Sequence, residues 1–491
     1  MRSRIGIYMW RQTLNTDSKL FKGIKNSVCH VLGFGKSNRP LVEFLLKHGG
    51  RVIVHDKNTG ILSEDIAKQY SLQGVEFILG DNYLSGIEGG VIFRSPGFRP
   101  DLPEISAAVD RGAILTSEME LFFELTEAKV FGITGSDGKT TTTTLTHMFL
   151  DAECKRRGYG HAYVGGNIGV PLLPLAEEMT ADDFAVVELS SFQLMTMRRS
   201  PYRAIITNIS PNHLDWHKGG YEEYITSKLN ICMHKPISML VTNAECGITA
   251  EIARNSDLPI TYFSSKKNSY HAIVPPYKRG CKAIYEKGGA VIMESEFGGR
   301  EKILTVSEIK LPGRHNLENY MAAIAITDGY VSRDIIPQIA REFGGVQHRL
   351  ELVRELDGVK YYNSSIDSSP SRTHAALSAL GCKPIIICGG KDKGIPFDGL
   401  ARDLCSSVKA VVLTGATAST IKSEIEKCPD YDPEYLPVTL VPDFADAVRT
   451  AREIAEEGDV VLLSPACTSF DAFKNFEERG DYFKKIVNEF E

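Results

Sequence analysis

Val130-Phe-Gly-Ile-Thr-Gly-Ser-Asp-Gly-Lys-Thr-Thr-Thr142 decides the fold. A short apolar run ends in a loop carrying Gly132, Gly135 and Gly138, and a helix-compatible segment continues to Leu150. Glycines let the backbone turn tightly enough for several N–H groups to converge on a polyphosphate, and the dipole of the next helix adds positive potential there. Gly135, Ser136, Asp137 and Gly138 form the loop, Lys139 faces β/γ-phosphate charge, and Thr140, followed by Thr141, offers a hydroxyl to Mg²⁺. The strict Walker spacing requires Gly where this chain has Ile133. The stretch reads as an ATP site between a strand and a helix, and therefore as an α/β fold.

Outward from this stretch, 491 residues suggest roughly three domains. A net charge of −6 argues against nucleic acid as a partner. No apolar run of about 18 residues is present, so membrane insertion is not expected. Ten cysteines without a Cys-x-x-Cys pair read as reduced thiols, and with no signal-peptide core the expected location is the cytoplasm.

Upstream, residues 1–19 read as an extension, with Asn15-Thr-Asp-Ser18 as a helix start. Val28-Cys-His-Val-Leu-Gly33 reads as a buried strand entering Gly33-Phe-Gly35-Lys-Ser37-Asn38. A helix and the strand Arg51-Val-Ile-Val-His55 follow, ending at Asp56. This is close to a dinucleotide-binding βαβ unit, with Asn38 where the third glycine is expected. Arg94-Ser-Pro-Gly97-Phe98 falls at a strand's carboxyl end, where open α/β sheets bind ligands.

Downstream, Glu188 ends the apolar run Phe184-Ala-Val-Val-Glu188, where an NTPase places a metal-ligating carboxylate. His213 and His217 stand four apart and could share a helix face as a zinc pair; membership of His213 in a Mg²⁺–phosphate site is the alternative. Lys228, from its own surroundings, reads as a surface lysine on a helix. An alanine-rich helix is expected from about residue 320 to 330, and Phe343–Glu351 reads as turn and linker. The last 140 or so residues alternate strand and helix again. We place boundaries near 125 and 345, giving 20–124, 125–345 and 346–491: a Rossmann-like N-terminal domain, a central P-loop ATPase-type domain and a Rossmann-like C-terminal domain.

These blocks in this order resemble the Mur ligases of bacterial peptidoglycan synthesis. The resemblance is carried by Thr134-Gly-Ser-Asp-Gly-Lys-Thr140, Gly166-Asn-Ile-Gly169, Glu188-Leu-Ser-Ser-Phe-Gln193, Asn212-His-Leu-Asp215, Gly313-Arg-His-Asn316, His348-Arg-Leu-Glu351 and Leu463-Ser-Pro-Ala-Cys-Thr-Ser-Phe-Asp471 with Phe473-Lys-Asn-Phe-Glu-Glu-Arg-Gly480. The Ser-Ser-Phe-Gln and Ser-Pro-Ala-Cys blocks look like the D-glutamate-adding branch.

The resemblance implies an ATP- and Mg²⁺-dependent ligase joining D-glutamate to UDP-N-acetylmuramoyl-L-alanine through an acyl phosphate, working as a monomer. It implies that Thr140 and Glu188 hold one Mg²⁺ and that Glu188, His213 and a carbamylated Lys228 serve a second. Lys139, His213 and Lys228 are thereby the catalytic set. It places Asn167 on the substrate, Asn316 on adenine and Arg349 on the ATP phosphates or ribose. Ser37, Asp56 and Gly97 fall near the uridine diphosphate, and Lys393, Ser469 and Phe476 near glutamate. One block departs: the family reads Asn-Asp-Ser-Lys-x-Thr where this chain has Asn363-Ser-Ser-Ile-Asp-Ser368. Ser364 replaces the aspartate associated with the ribose, Ile366 replaces the lysine, and Asp367 lies three residues late. Another acceptor amino acid, or an inactive UDP-sugar-binding paralogue, are the competing readings.

Overall fold

The computed structural model describes residues 19–491 apart from Asn26, Lys36, Asp215, Pro312 and Lys393. The expected helix start at Asn15–Ser18 and the site residue Lys393 lie outside the described residues. The chain divides into two compact units, one ending at Glu342 and one starting at Phe343.

The first unit holds two sheets. Strands β1 (Val28–Leu32), β2 (Arg51–Asp56), β3 (Glu76–Leu79), β4 (Val91–Arg94) and β5 (Ile114–Thr116) form an all-parallel sheet in the order β3-β2-β1-β4-β5. The order reverses between β1 and β4, so the loops after these two strands flank the crevice where such sheets take ligands. Those loops carry Ser37 and Gly97.

The second sheet has nine strands: β6 (Lys129–Thr134), β7 (Ala162–Gly166), β8 (Phe184–Glu188), β9 (Arg203–Ile206), β10 (Met239–Asn243), β11 (Ile260–Ser264), β12 (Lys282–Lys287), β13 (Ala290–Ser295) and β14 (Arg300–Thr305). They run β14-β13-β12-β11-β10-β9-β6-β8-β7, parallel from β7 to β12 and antiparallel in the last two pairings. Every residue of β8 and β11 is buried. This is the mark of a parallel sheet covered on both faces, and it explains why β8 read as a continuous apolar run. The core continues from the first sheet to the second through Met119, Leu121, Phe122, Phe123 and Leu125 of the helix Glu118–Leu125.

The second unit has six strands: β15 (Glu351–Leu356), β16 (Val359–Asn363), β17 (Ile385–Cys388), β18 (Ala410–Leu413), β19 (Val438–Leu440) and β20 (Val460–Leu463). Their order is β15-β16-β20-β17-β18-β19, with β15 alone antiparallel to its neighbour.

Three differences from the expected elements have local causes. The helix read from about 320 begins at Arg314, because Gly313, at φ 102°, turns the chain directly into it. Glu351, the last residue of the stretch read as linker, opens strand β15 (Glu351–Leu356), which has no continuous apolar run and is stabilised by the ladder to β16. None of His213, Leu214, Trp216 and His217 is helical. His213 itself adopts φ 53°, outside the right-handed helical region.

Candidate active site

The loop after β6 is shaped by what its glycines approach. A Cβ on Gly135 would stand 1.8 Å from Thr207 Oγ1, and one on Gly138, at φ 77°, would stand 2.3 Å from Asn319 Oδ1. Thr207 Oγ1 and Asn208 Nδ2 both donate to the Asp137 carbonyl, at 2.6 and 3.2 Å, and Asn208 Oδ1 accepts from the Asp137 N–H at 2.9 Å. Ser136 Oγ is tied to Ser210 O at 2.9 Å and to the Tyr224 hydroxyl at 2.8 Å. The loop is therefore held from beneath by the ends of β9 and two helices, which preorganises its N–H groups. Lys139 Nζ folds back onto the Ser136 carbonyl at 2.9 Å, and Lys139, Thr140 and Thr141 open the helix Lys139–Arg157.

Glu188 closes β8 and is 1% exposed. Its Oε1 accepts from Asn167 Nδ2 at 2.9 Å, whereas Oε2 is buried with no hydrogen-bond partner. A buried carboxylate oxygen without a partner is costly unless something positive meets it. An oxygen donor without sulfur around it suits a hard cation such as Mg²⁺. Among the described residues no three His, Cys, Asp or Glu side chains gather as metal ligands. Hydroxyl and phosphate oxygens are the natural complement to Glu188.

Lys228, on the helix Gly220–Leu229, is 2% exposed, which overturns its reading as a surface lysine. Its Nζ donates to Gly135 O at 2.8 Å and Thr134 Oγ1 at 3.4 Å, and lies 4.8 Å from the centre of the Tyr224 ring. Burial, and next the charge of Lys139, hold its pKa well below the usual lysine range; Glu188 and Asp137 act the other way. The amine is thus held in surroundings that favour its neutral, nucleophilic form.

The Mur ligase middle domain profile matches residues 133–327, and the Mur ligase glutamate ligase domain profile matches 348–467. The UDP-N-acetylmuramoylalanine–D-glutamate ligase of Ruminiclostridium cellulolyticum is 45% identical over 471 residues, covering 95% of this chain and 97% of its own. The enzyme of the same name from Acetivibrio thermocellus is 43% identical over 488 residues, covering 97% and 100%. This chain belongs to the Mur ligase family. Among solved structures, UDP-N-acetylmuramate–alanine ligase from Thermotoga maritima aligns at a TM-score of 0.51 with 17% identity, over 94% of this chain and 99% of its own. That likeness shows the shared fold.

In this Mur ligase the two histidines differ in setting. His213 is exposed, its ring 5.0 Å from that of Phe192. His217 is buried, stacked on Phe192 at 5.6 Å, with Nε2 3.1 Å from Ser191 Oγ and Nδ1 3.3 Å from Glu223 Oε2. Burial lowers its pKa despite Glu223. Without a helix between them, the two rings do not share a helix face. Arg99 holds this segment, donating to Trp216 O at 2.7 Å and to both oxygens of Glu223.

At the first sheet, Asp56 Oδ2 accepts from the Phe34 N–H at 2.8 Å, and Oδ1 from the Asn58 N–H at 2.8 Å. The carboxylate shapes the glycine loop from within. Asn38, buried, donates through Nδ2 to Leu32 O and Gly33 O at 3.1 and 2.9 Å. A side-chain amide thus does at this strand–helix turn what close packing around a glycine does elsewhere. Ser37 precedes the helix Asn38–Lys47 and makes no capping bond, and a Cβ on Gly97 would meet open space.

Asn316, buried in the first turn of the helix Arg314–Thr327, lies in the first unit with the loop after β6; its Oδ1 accepts from Asn319 Nδ2 at 3.3 Å. Arg349, Ser469 and Phe476 belong to the second unit. Ser469 is buried, and the Phe476 carbonyl accepts from Ser365 Oγ at 2.8 Å.

Asn319 and Tyr224 were not singled out from the sequence. Asn319 Oδ1 accepts from Thr142 Oγ1 at 3.2 Å directly beneath Gly138. The available signals were spacings: Asn319 is three residues after Asn316, and Tyr224 four before Lys228, each on the same helix face as its partner.

Proposed function

We propose that this Mur ligase joins D-glutamate to UDP-N-acetylmuramoyl-L-alanine at the expense of ATP, in the cytoplasm and as a monomer, supplying precursor for peptidoglycan. The observation carrying the reading is the near-full-length identity to enzymes of that name. The grouping of Lys139, Lys228 and Glu188 around one phosphate loop supports it.

A carboxylate is a poor acyl donor because it lacks a good leaving group. A carboxylate oxygen of the L-alanyl end attacks the γ-phosphorus, the bond to the β,γ-bridging oxygen breaks, and ADP departs. The amine of D-glutamate then attacks the acyl-phosphate carbon, phosphate leaves, and the nitrogen gives up a proton. The first step brings two anions together. The loop N–H groups and the Lys139 ammonium supply fixed positive charge where phosphoryl charge develops. Glu188 with Thr140, and His213 with a carbamylated Lys228, would hold Mg²⁺, which when bound neutralises phosphate charge as a Lewis acid. The neutral Lys228 amine adds CO₂ through its nitrogen lone pair and loses one proton, turning a buried amine into a carboxylate-like ligand. Asn167 fixes Glu188 and reaches the substrate, and Asn316 meets adenine. Ser37, Asp56 and Gly97 receive the uridine diphosphate, while Lys393, Ser469 and Phe476 receive glutamate.

A different acceptor is the second reading, favoured by the altered stretch Ser364–Ser368. Incubation with ATP, Mg²⁺, UDP-N-acetylmuramoyl-L-alanine and a panel of amino acids separates the readings. Phosphate release matched by a D-glutamyl product is expected. Faster turnover with L-glutamate or another amino acid overturns the acceptor, and no phosphate release with any of them overturns the ligase.

A further inference from the structure

Arg94, the last residue of β4, is 2% exposed, and its two terminal nitrogens bond different parts of the first unit. Nη1 donates to Phe98 O at 2.6 Å and weakly to Pro96 O at 3.5 Å, inside the loop that leaves its own strand. Nη2 donates to Phe192 O at 2.7 Å and to Thr196 Oγ1 at 3.0 Å, beyond the end of β8 in the second sheet. Each of these acceptors is a neutral oxygen, and Nε is buried with no hydrogen-bond partner. A guanidinium buried in this way gains less stability than a well-packed apolar side chain of the same volume. What the arginine supplies is a rigid planar fork that holds acceptors on two segments at once.

The loop after β4 sits in the crevice of the first sheet. The Phe98 N–H returns to Ser95 O at 3.1 Å, and the Ser95 N–H donates to Leu32 O at 3.2 Å. A Cβ on Gly33 would stand 2.8 Å from Ser95 Oγ, so the loop presses on the glycine turn after β1. Gly97, within the loop, is exposed. At the far end Arg99, which bonds Trp216 and Glu223, lies 5.0 Å from the centre of the Trp216 ring. Trp216 packs edge-on against Phe192 with ring centres 4.5 Å apart, and Phe192 is the ring beside His213. Both arginines thus fasten one loop to one aromatic cluster, Arg94 through the Phe192 backbone and Arg99 through Trp216.

We propose that Arg94 is the positioning residue that sets the loop Ser95–Phe98 against the Phe192–His213 cluster, with Arg99 as the second anchor. The proposal rests on the reading of Gly97 as a uridine-diphosphate contact and of His213 as part of the Mg²⁺–phosphate site. A substrate held at its diphosphate by one sheet has to present its alanyl carboxylate to a γ-phosphate held by the other. A misplacement of about 1 Å between the two costs on the order of 10²-fold in rate, so the reaction needs a stiff bridge between the elements that hold them. Nη1 shapes the loop, which governs binding of the UDP end. Nη2 fixes where the loop stands, which governs the rate.

The test uses the full chain, after calorimetry has measured UDP binding and turnover has been measured for the unaltered enzyme. Arg94→Met keeps the stem and removes every donor. It is expected to weaken UDP binding and raise KM for UDP-N-acetylmuramoyl-L-alanine about tenfold, and to lower kcat about tenfold or more, while KM for ATP and for the acceptor amino acid changes less than about twofold. Arg94→Lys keeps the charge without the fork and is expected to recover part of the UDP binding and little of kcat. Thr196→Val cuts one bond of Nη2 alone, so kcat falls while UDP binding holds. Unchanged KM and kcat in Arg94→Met overturn the proposal, as does an equal rise in all three KM values, the mark of a structural loss only. Should Arg94→Met not fold, unchanged kcat in both Arg94→Lys and Thr196→Val overturns it. Failure of the unaltered protein to bind UDP or to turn over overturns the underlying reading and the proposal with it, and is told apart because no variant is involved.

Discussion

Asn167 Nδ2 donates to Glu188 Oε1 at 2.9 Å, and the second oxygen of the same carboxylate is left buried without a hydrogen-bond partner. The first contact orients the carboxylate, and the second oxygen is the one left to meet positive charge. Glu188→Gln keeps the shape and removes the buried charge. We expect its melting temperature without ligands to be no lower than that of the unaltered protein. Turnover and the thermal shift produced by Mg²⁺ with ATP should be largely lost. A normal Mg²⁺–ATP shift in this variant would remove Glu188 from the metal site.

Lys139→Met keeps the aliphatic stem and removes the charge facing the phosphoryl group. Electrostatic contributions of this kind are worth roughly 3–4 kcal/mol, so kcat should fall about 10²–10³-fold or more. Circular dichroism and the melting temperature should change little, because Lys139 is only partly buried. A near-normal rate would exclude the lysine from the chemistry.

Lys228→Ala tests carbamylation. Most activity should be lost, and a short carboxylate such as acetate or formate, diffusing into the vacated space, should restore part of it. Intact-mass or ¹³C NMR measurement on the unaltered protein in labelled bicarbonate should detect the added CO₂. Full activity of Lys228→Ala would end this assignment.

His30 and His55 form a buried pair in the first sheet. His55 Nδ1 lies 2.6 Å from the Tyr83 carbonyl, which can only accept, so Nδ1 carries the proton. His55 Nε2 therefore accepts from His30 Nδ1 at 2.9 Å, and both rings are neutral. Burial, then the proximity of His55 and Arg51, lowers the His30 pKa to about 4. The unfolded chain binds this proton near pH 6.5 and the folded chain does not, so stability is lost as pH falls from 6.5 toward 4. The contribution is about 3 kcal/mol. Denaturant titrations should show a shallower pH slope over this window for His30→Leu than for the unaltered protein; equal slopes would contradict the assignment.

The glycine-rich turn from β6 into the helix Lys139–Arg157 was legible in the sequence because it is set by local residues. Glycines at positive φ, a lysine and a threonine at a helix start act through their own backbone, and the continuous apolar strands announce a sheet covered on both faces. What those residues rest against was not legible. Lys228 read as a surface lysine because helical spacing reports a face and not what covers it; Gly135, 93 residues away, makes it a buried amine. The His213–His217 spacing suggested a helix face, yet the backbone turns the two rings to different tasks. Asn38 looked like a missing glycine until its amide was found closing the turn itself. Asp367 read as a displaced residue, and only the pairing of β16 with β20 brings Ser464, 97 residues on, to its carboxylate. Residue type and spacing determined which groups this chain could offer; burial and long-range hydrogen bonds, which depend on the whole packed sheet, decided their charge and partners.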